Sequence, residues 1–239
     1  MAAMTCKGCP LGDVCFQSVI EHAPPVHAGS YLVRQGEVFE SIAMIRSGTV
    51  KTYSVDHLGR EVILGFHLPG DFIGLGAMDE VRHSCSAVAL DTVTVCRLPV
   101  RAAAEVVARD PALLSKLVKL MSREVARVTR LSHRQTADER LAAFLIGMAE
   151  RMAARGFSPR RWQLPMSRMD IASYLHLAPE TLSRMFKRFQ QDGLLAIDGR
   201  AVEVRELDRL LALSRLPASR AASAPQRNRG IASIAAEVR

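Results

Sequence analysis

The sequence predicts an α+β fold in which a run of short strands is followed by one long helix and then by a small helical unit that ends in a hairpin. Three observations support this order. Glycine recurs between β-rich stretches from residue 26 to 100, apolar residues recur at heptad spacing from 110 to 134, and two short amphipathic helices precede a tight turn between 167 and 204. A chain of 239 residues is long enough to bury two cores.

Residues 26–100 predict a barrel or a double-sheet roll. Stretches such as 42–45, 49–53 and 93–98 have the composition and length of strands. The expected turns between strands carry Gly29, Gly36, Gly48, Gly59, Gly65, Gly70, Gly74 and Gly76. Many short strands with regular turns are typical of a barrel or a roll, and no glycine group has the spacing of a phosphate-binding loop that opens a helix.

Residues 110–134 predict one long helix with a coiled-coil seam. The heptad a positions are Val118, Val125 and Ser132, and the d positions are Leu114, Met121 and Val128. Five of these six residues are apolar, and β-branched residues at a are what a parallel two-stranded coil prefers. A helix packed on its own roll would show a similar stripe, but charged residues flank this one closely and favour a narrow seam. We therefore expect a homodimer with Leu114, Val118, Met121, Val125 and Val128 at the interface.

The segment after residue 137 predicts a helix-turn-helix. A helix is expected from 137 to about 155, and Ser167 with Asp170 three residues later is typical of the start of another. A tight turn then leads to Pro179, which is favoured at the first position of a helix. Gly193 is expected to end this second helix.

The second helix has two distinct faces. Its apolar residues recur at i, i+3, i+4 and i+7 and are Leu182, Met185, Phe186 and Phe189. The face that points outward carries Glu180, Thr181, Ser183, Arg184, Lys187 and Arg188. In a recognition helix, Arg184 can pair with guanine and Glu180 can accept from the cytosine amino group, while Lys187 and Arg188 would meet phosphate.

A hairpin follows the recognition helix. Residues 194–197 and 201–204 have strand composition, and 197–200 reads as a two-residue turn centred on Asp198 and Gly199. This hairpin is the wing of a winged helix-turn-helix. The expected partner is double-stranded DNA.

Charge alone is weaker evidence for that partner. The formal net charge is +8, but the tail beyond residue 213 carries five arginines against one glutamate, so half of the excess lies in a segment expected to be solvated. No apolar run is long enough to span a bilayer, and the first residues lack the pattern of a signal peptide, so a cytoplasmic protein is expected. No nucleophile–base pair or carboxylate pair has catalytic spacing, and we do not expect an enzyme.

The predicted domain boundaries follow from these segments. They are a Cys-rich arm at 1–20, a roll at 21–108, a dimerisation helix at 109–136, a winged helix-turn-helix at 137–213 and a basic tail at 214–239.

Several motifs resemble the cAMP receptor protein and FNR superfamily. They comprise 46–51 (RSGTVK), 65–71 (GFHLPGD), 155–160 (RGFSPR) and the helix-turn-helix from 169 to 190. Within the last of these, Glu180, Ser183 and Arg184 form the Glu-x-x-Ser-Arg pattern of the FNR branch. The resemblance implies a β-roll like that of cyclic-nucleotide-binding domains, palindromic TTGAT-type DNA sites, and RNA polymerase as a partner.

Cysteine spacing is the second specific signal. Cys6, Cys9 and Cys15 lie close together in a chain expected to stay reduced, and thiolates are the usual ligands of iron–sulfur clusters. A fourth thiolate would come from Cys85 or Cys96. The arm is similar to the FNR cluster motif, and Cys96 matches that family's distant ligand, so the resemblance implies an oxygen-sensing [4Fe-4S] cluster on Cys6, Cys9, Cys15 and Cys96.

Alternatives of the same fold remain at this point. Zinc could bind the same thiolates, although a structural zinc site usually pairs two Cys-x-x-Cys knuckles. A cyclic nucleotide is disfavoured because 70–75 lacks the expected glutamate and no Arg-Ser pair follows, Arg82 being the nearest approach. A haem ligand could come from His22, His27, His57, His67 or His83.

Overall fold

The computed structural model describes residues 20–78, 81–109 and 136–214, together with five positions between the last two ranges, 115, 118, 119, 121 and 122. The predicted ligands Cys6, Cys9 and Cys15 lie outside these residues. So do the basic tail from 215 onward and three of the predicted dimer contacts, Leu114, Val125 and Val128.

Two four-stranded antiparallel sheets form a roll, as the glycine spacing predicts. The strands are β1 (Glu21–His22), β2 (Tyr31–Val33), β3 (Ser41–Ser47), β4 (Val50–Val55), β5 (Glu61–His67), β6 (Phe72–Ile73), β7 (Ser86–Ala89) and β8 (Thr94–Pro99). One sheet has the order β1-β8-β3-β6 and the other the order β2-β7-β4-β5. The core between them includes the fully buried Ile45, Val50 and Val93.

One glycine is not where the sequence suggested. Gly65 lies inside β5 rather than at a turn, opposite Thr52 of β4. The register shifts there, because Tyr53 faces Ile63 and Leu64 is the extra residue. A bulge of this kind bends and twists a strand, which helps β5 to curve round the roll.

Two helices frame the region of the predicted dimer seam. Helix α1 (Val100–Arg109) continues directly from β8, and α2 (Ala137–Ala153) begins at Thr136, whose hydroxyl accepts from the Glu139 N–H. The five described positions between them include helical Val118 and Met121, which are 51% and 40% exposed in the single chain. Exposed apolar side chains at these positions leave an apolar surface for a partner helix. The dimer itself stays a prediction.

The C-terminal part is a helix-turn-helix with a three-stranded wing. It contains β9 (Arg161–Gln163), α3 (Arg168–Tyr174), α4 (Pro179–Gln191), β10 (Leu195–Asp198), β11 (Ala201–Val204) and α5 (Leu207–Ser214). The predicted turn is wrong by one residue, because Asp198 pairs with Ala201 and the turn is Gly199-Arg200. Strand β9 was not predicted; Trp162 at its centre is buried and pairs with Val202.

The roll and the C-terminal part share one hydrophobic core. Phe66 of β5, Phe144 of α2 and Tyr174 of α3 form an aromatic cluster with ring centroids 5.2–6.2 Å apart. Edge-to-face pairs of this kind add to the stabilisation from burial. The two parts are therefore docked on each other within one chain.

A cluster of charged side chains also links the roll to the C-terminal part. Asp71, which precedes β6, pairs with Arg151 of α2 and, at 3.0 Å, with Arg155 beyond the end of α2. Burial raises the pKa of the Asp71 carboxyl, but Arg151, the Leu68 N–H and Arg155 outweigh it and hold the pKa below its usual value.

This shift predicts a pH dependence of stability. A depressed pKa adds stability that is present above the ordinary carboxyl pKa and is lost as the pH falls through the folded value. We expect the free energy of unfolding to fall below about pH 4 and to fall less steeply in Asp71→Asn. Chemical unfolding from pH 3 to 7 measures this free energy, and Asp198→Asn at the exposed end of β10 is the control. Equal slopes in all three proteins would contradict the prediction.

No helix among the described ranges is long and apolar enough to cross a membrane.

Candidate nucleic-acid interface and thiolate site

The first helix of the helix-turn-helix is fixed at its start by a capping box, as the sequence predicts. The Ser167 hydroxyl accepts from the Asp170 N–H at 3.0 Å, and the Asp170 carboxylate accepts from the Ser167 N–H at 3.2 Å. Two N–H groups that the helix leaves unpaired are thereby satisfied. At the other end, His176 takes a positive φ of 52° in the turn that leads to α4.

Helix α4 presents the two faces that its periodicity predicts. Its four apolar residues are buried: Leu182, Met185, Phe186 and Phe189. Its six predicted DNA-contacting residues are all exposed: Glu180, Thr181, Ser183, Arg184, Lys187 and Arg188. The helix begins with Pro179 and receives no side-chain cap from Ala178.

Two of these six already have partners within the chain. The Ser183 hydroxyl donates to the Pro179 carbonyl at 2.9 Å. Arg188 forms an ion pair with Asp138 in the first turn of α2. A phosphate bound by Arg188 would therefore have to displace the Asp138 carboxylate or share the guanidinium with it. The DNA roles of all six residues stay predictions.

Arg168 is a site residue that the sequence reading missed. Its guanidinium lies over the Phe186 ring, 4.0 Å from the ring centroid, and Nη2 is 3.5 Å from the Gly199 carbonyl oxygen. Burial lowers the pKa of this group. Arg168 of the first helix therefore contacts both the recognition helix and the wing. A cation in the first turn of a helix is unfavourable to the helix dipole. This unusual position of Arg168 was the signal in the sequence that the residue has a specific contact.

Cys96 is the one predicted metal ligand among the described residues. It lies in β8, is 3% exposed, and pairs across the sheet with His22 of β1, whose Nδ1 is 3.7 Å from its Sγ. Cys15 precedes His22 by seven residues. An extended chain of that length reaches at most about 23–25 Å, so the connection is long enough for the Cys15 thiol to reach Cys96.

Cys85 has a different setting. It is half-buried just before β7, and burial raises the pKa of its thiol. Strand β7 belongs to the other sheet from β8, which carries Cys96.

Three of the residues named for the alternative ligands have contacts within the roll. Arg82, the nearest approach to a cyclic-phosphate contact, is exposed and donates to the Gly36 carbonyl at 2.7 Å. Of the histidines, His67 bonds Thr52 at 3.0 Å and His83 is packed edge-on against Phe39. Within the described parts of the chain, no three His, Cys, Asp or Glu side chains are grouped to hold a metal ion.

Comparison with known proteins gives the same two-part division. The family described as the cyclic nucleotide-binding domain matches residues 25–110, and the Crp-like helix-turn-helix domain matches residues 139–213. The transcriptional activator protein Anr of Pseudomonas protegens is 39% identical over 224 residues, covering 87% of this chain and 92% of its own. The fumarate and nitrate reduction regulatory protein of Escherichia coli is 36% identical over 227 residues, covering 89% and 91%.

A solved structure supports the fold. FixK2 from Bradyrhizobium japonicum superposes with a TM-score of 0.74 at 29% identity, covering 84% of this chain and all of its own. The Anr relative is named a transcriptional activator and the Escherichia coli relative a regulatory protein. The chain belongs to the cAMP receptor protein/FNR family of transcription regulators.

Proposed function

We propose that this protein is a dimeric, oxygen-responsive regulator that binds palindromic TTGAT-type DNA sites in the cytoplasm when a [4Fe-4S] cluster is bound by Cys6, Cys9, Cys15 and Cys96. The observation that carries the proposal is the position of Cys96. It is buried beside the strand through which the Cys-rich arm enters the roll. The names of the relatives, including the anaerobic regulatory protein of Haemophilus influenzae, support the anaerobic part of it.

The donor set fits such a cluster. Four cysteines are a common ligand set for a cubane cluster, which would supply an oxygen-labile link between the arm and the roll. Burial of Cys96 keeps its sulfur away from bulk solvent and competing thiols. The chain's own contribution is to hold the arm through the pairing of β1 with β8.

Coupling to DNA would pass through the dimer. A ligand that favours the dimer by about 1–3 kcal/mol shifts association about 5–150-fold. Exposed Val118 and Met121 supply apolar surface for that association. Two recognition helices then reach both half-sites of a palindrome, and RNA polymerase is the proposed partner at the promoter.

The direct test begins with protein purified without oxygen. We expect a coloured sample with about four iron and about four sulfide per monomer, and tight binding to a TTGAT-n4-ATCAA duplex. Exposure to air should remove the visible absorption, the dimer and the DNA binding together. A colourless protein, with zinc or no metal, that binds DNA equally in air would overturn the oxygen-sensing part and leave the DNA-binding part standing.

The recognition helix has its own prediction. Arg184→Ala should cost about 1–3 kcal/mol of discrimination between the TTGAT site and a site with the contacted guanine replaced. Lys187→Ala should weaken binding to all sequences alike and reduce the salt slope by about one. Titrations of both duplexes at several salt concentrations separate the two effects. Unchanged discrimination in Arg184→Ala would remove that residue from the base-reading set.

A further inference from the structure

Lys51 of the roll reaches the helix-turn-helix. Its Nζ is 2.8 Å from Oδ1 of Asp170 and 3.5 Å from Oε2 of Glu61. The Lys51 and Asp170 side chains are only 16% and 15% exposed. A pair screened from water in this way interacts more strongly than a surface pair, and breaking one side leaves a poorly solvated charge.

The partner carboxylate is not an ordinary surface group. The Asp170 side chain also forms the capping box of α3 with Ser167. Lys51 therefore binds the carboxylate that caps the first helix of the DNA-binding motif. Any movement of α3 away from the roll would have to break this contact.

A second contact fixes the same helix from its other end. The Ser173 hydroxyl accepts from the Ile63 N–H at 3.1 Å. Strand β5 is at the edge of its sheet, where N–H groups of the strand have no neighbouring strand to bond. Helix α3 thus lies along the edge of β5, held at Asp170 and at Ser173 and packed through Tyr174 onto Phe66.

The recognition helix packs on α3. Leu182, Met185 and Phe186 of α4 belong to the same core cluster as Ile171 and Ala172 of α3. The contact of α3 with β4 and β5, together with the packing of α2 on the roll, therefore sets the orientation of α4 relative to the roll.

We infer that Lys51 is a positioning residue for DNA recognition, which fixes the angle of the recognition helix on the roll and thereby the distance between the two half-sites that a dimer can read. The inference rests on the proposed dimeric binding of a palindrome. One added base pair moves a half-site by about 3.4 Å and turns it by about 35°, so a rigidly held α4 cannot follow it.

The test compares half-site spacings. Oxygen-free full-length protein is titrated with duplexes that carry TTGAT and ATCAA separated by three, four, five or six base pairs. Wild type should prefer one spacing by about tenfold or more, and Lys51→Met should reduce that preference to about threefold or less while still binding the best site. Lys51→Arg should restore the preference, because it keeps the charge that Asp170 needs.

The matched control is Arg60→Met. Arg60 is an exposed cation at the same hairpin and pairs with Asp56 of that hairpin rather than with the DNA-binding part. It should leave the spacing preference unchanged. If Lys51→Met does not fold, Asp170→Asn removes the charge while its side-chain oxygen can still accept the Ser167 N–H, and thermal unfolding reports whether the fold is kept.

The outcomes separate the two levels of the proposal. A wild-type spacing preference in folded Lys51→Met or Asp170→Asn would overturn the role of Lys51 alone. If a folded variant bound more weakly at every spacing but kept the same spacing preference, the proposed role of Lys51 would also be overturned. Wild-type protein that binds no palindrome would overturn the proposed function, and this inference with it.

Discussion

Replacing Gly48 by alanine is expected to destabilise the protein by about 2–5 kcal/mol. Gly48 forms the turn between β3 and β4 with φ +82°, in the left-handed region that L side chains rarely adopt. A Cβ there would lie 2.5 Å from the Asp91 Oδ1 and the Thr92 carbonyl oxygen, and 2.9 Å from the Val93 Cα. Two of these three atoms belong to the backbone, so the turn cannot yield by a simple side-chain rotation.

A hydrogen bond also links the Gly48 turn to Asp91. The Thr49 N–H donates to the Asp91 carboxylate at 2.7 Å, and pushing the two turns apart would stretch it. Gly59→Ala is the matched control, because Gly59 has φ +77° but nothing within 4 Å of an added Cβ. It should cost only the backbone strain, about 1–2 kcal/mol. Equal losses for the two variants in denaturant unfolding would show that crowding at Gly48 contributes nothing.

Replacing Cys96 by serine is expected to abolish cluster binding while the fold is retained. Serine keeps the shape of the side chain with a smaller oxygen in place of sulfur, and that hydroxyl is a poor ligand for iron in a thiolate site. The iron content of oxygen-free protein should fall from about four per monomer to near zero, and anaerobic binding to the palindrome should fall with it. Cys85→Ser is the control, since that thiol lies before β7 and away from the pairing of β1 with β8.

Circular dichroism and iron analysis of the two variants decide between the cysteines. Loss of iron in Cys85→Ser with retention in Cys96→Ser would transfer the fourth ligand to Cys85. Retention of full anaerobic DNA binding by both variants would remove the cluster from the mechanism.

Much of the DNA-binding part could be predicted because its signals are local. The capping box needs only Ser167 and Asp170, and the buried face of α4 follows from a spacing of three and four residues. Such interactions form within one or two turns of the chain, so the sequence carries them without knowledge of the fold.

The errors and omissions involve contacts between distant residues. Strand β9 has only three residues, and it forms because Trp162 pairs with Val202, which lies forty residues later in the sequence. The wing turn moved by one residue because the register is set by pairing with β9 as well as by turn chemistry. The contact of Lys51 with Asp170 joins residues 119 positions apart, and neither the charge nor the periodicity of either segment predicts it.

The shared core of the roll and the C-terminal part limits how freely these units can be exchanged. The two family domains match separate ranges of the sequence, yet Phe66 of one is covered by Phe144 and Tyr174 of the other. A roll expressed alone would present the bare edge of β5 and an apolar patch beside it, the combination that favours self-association. A chimera that takes its roll from one relative and its DNA reader from another must therefore bring matching side chains to both sides of this boundary.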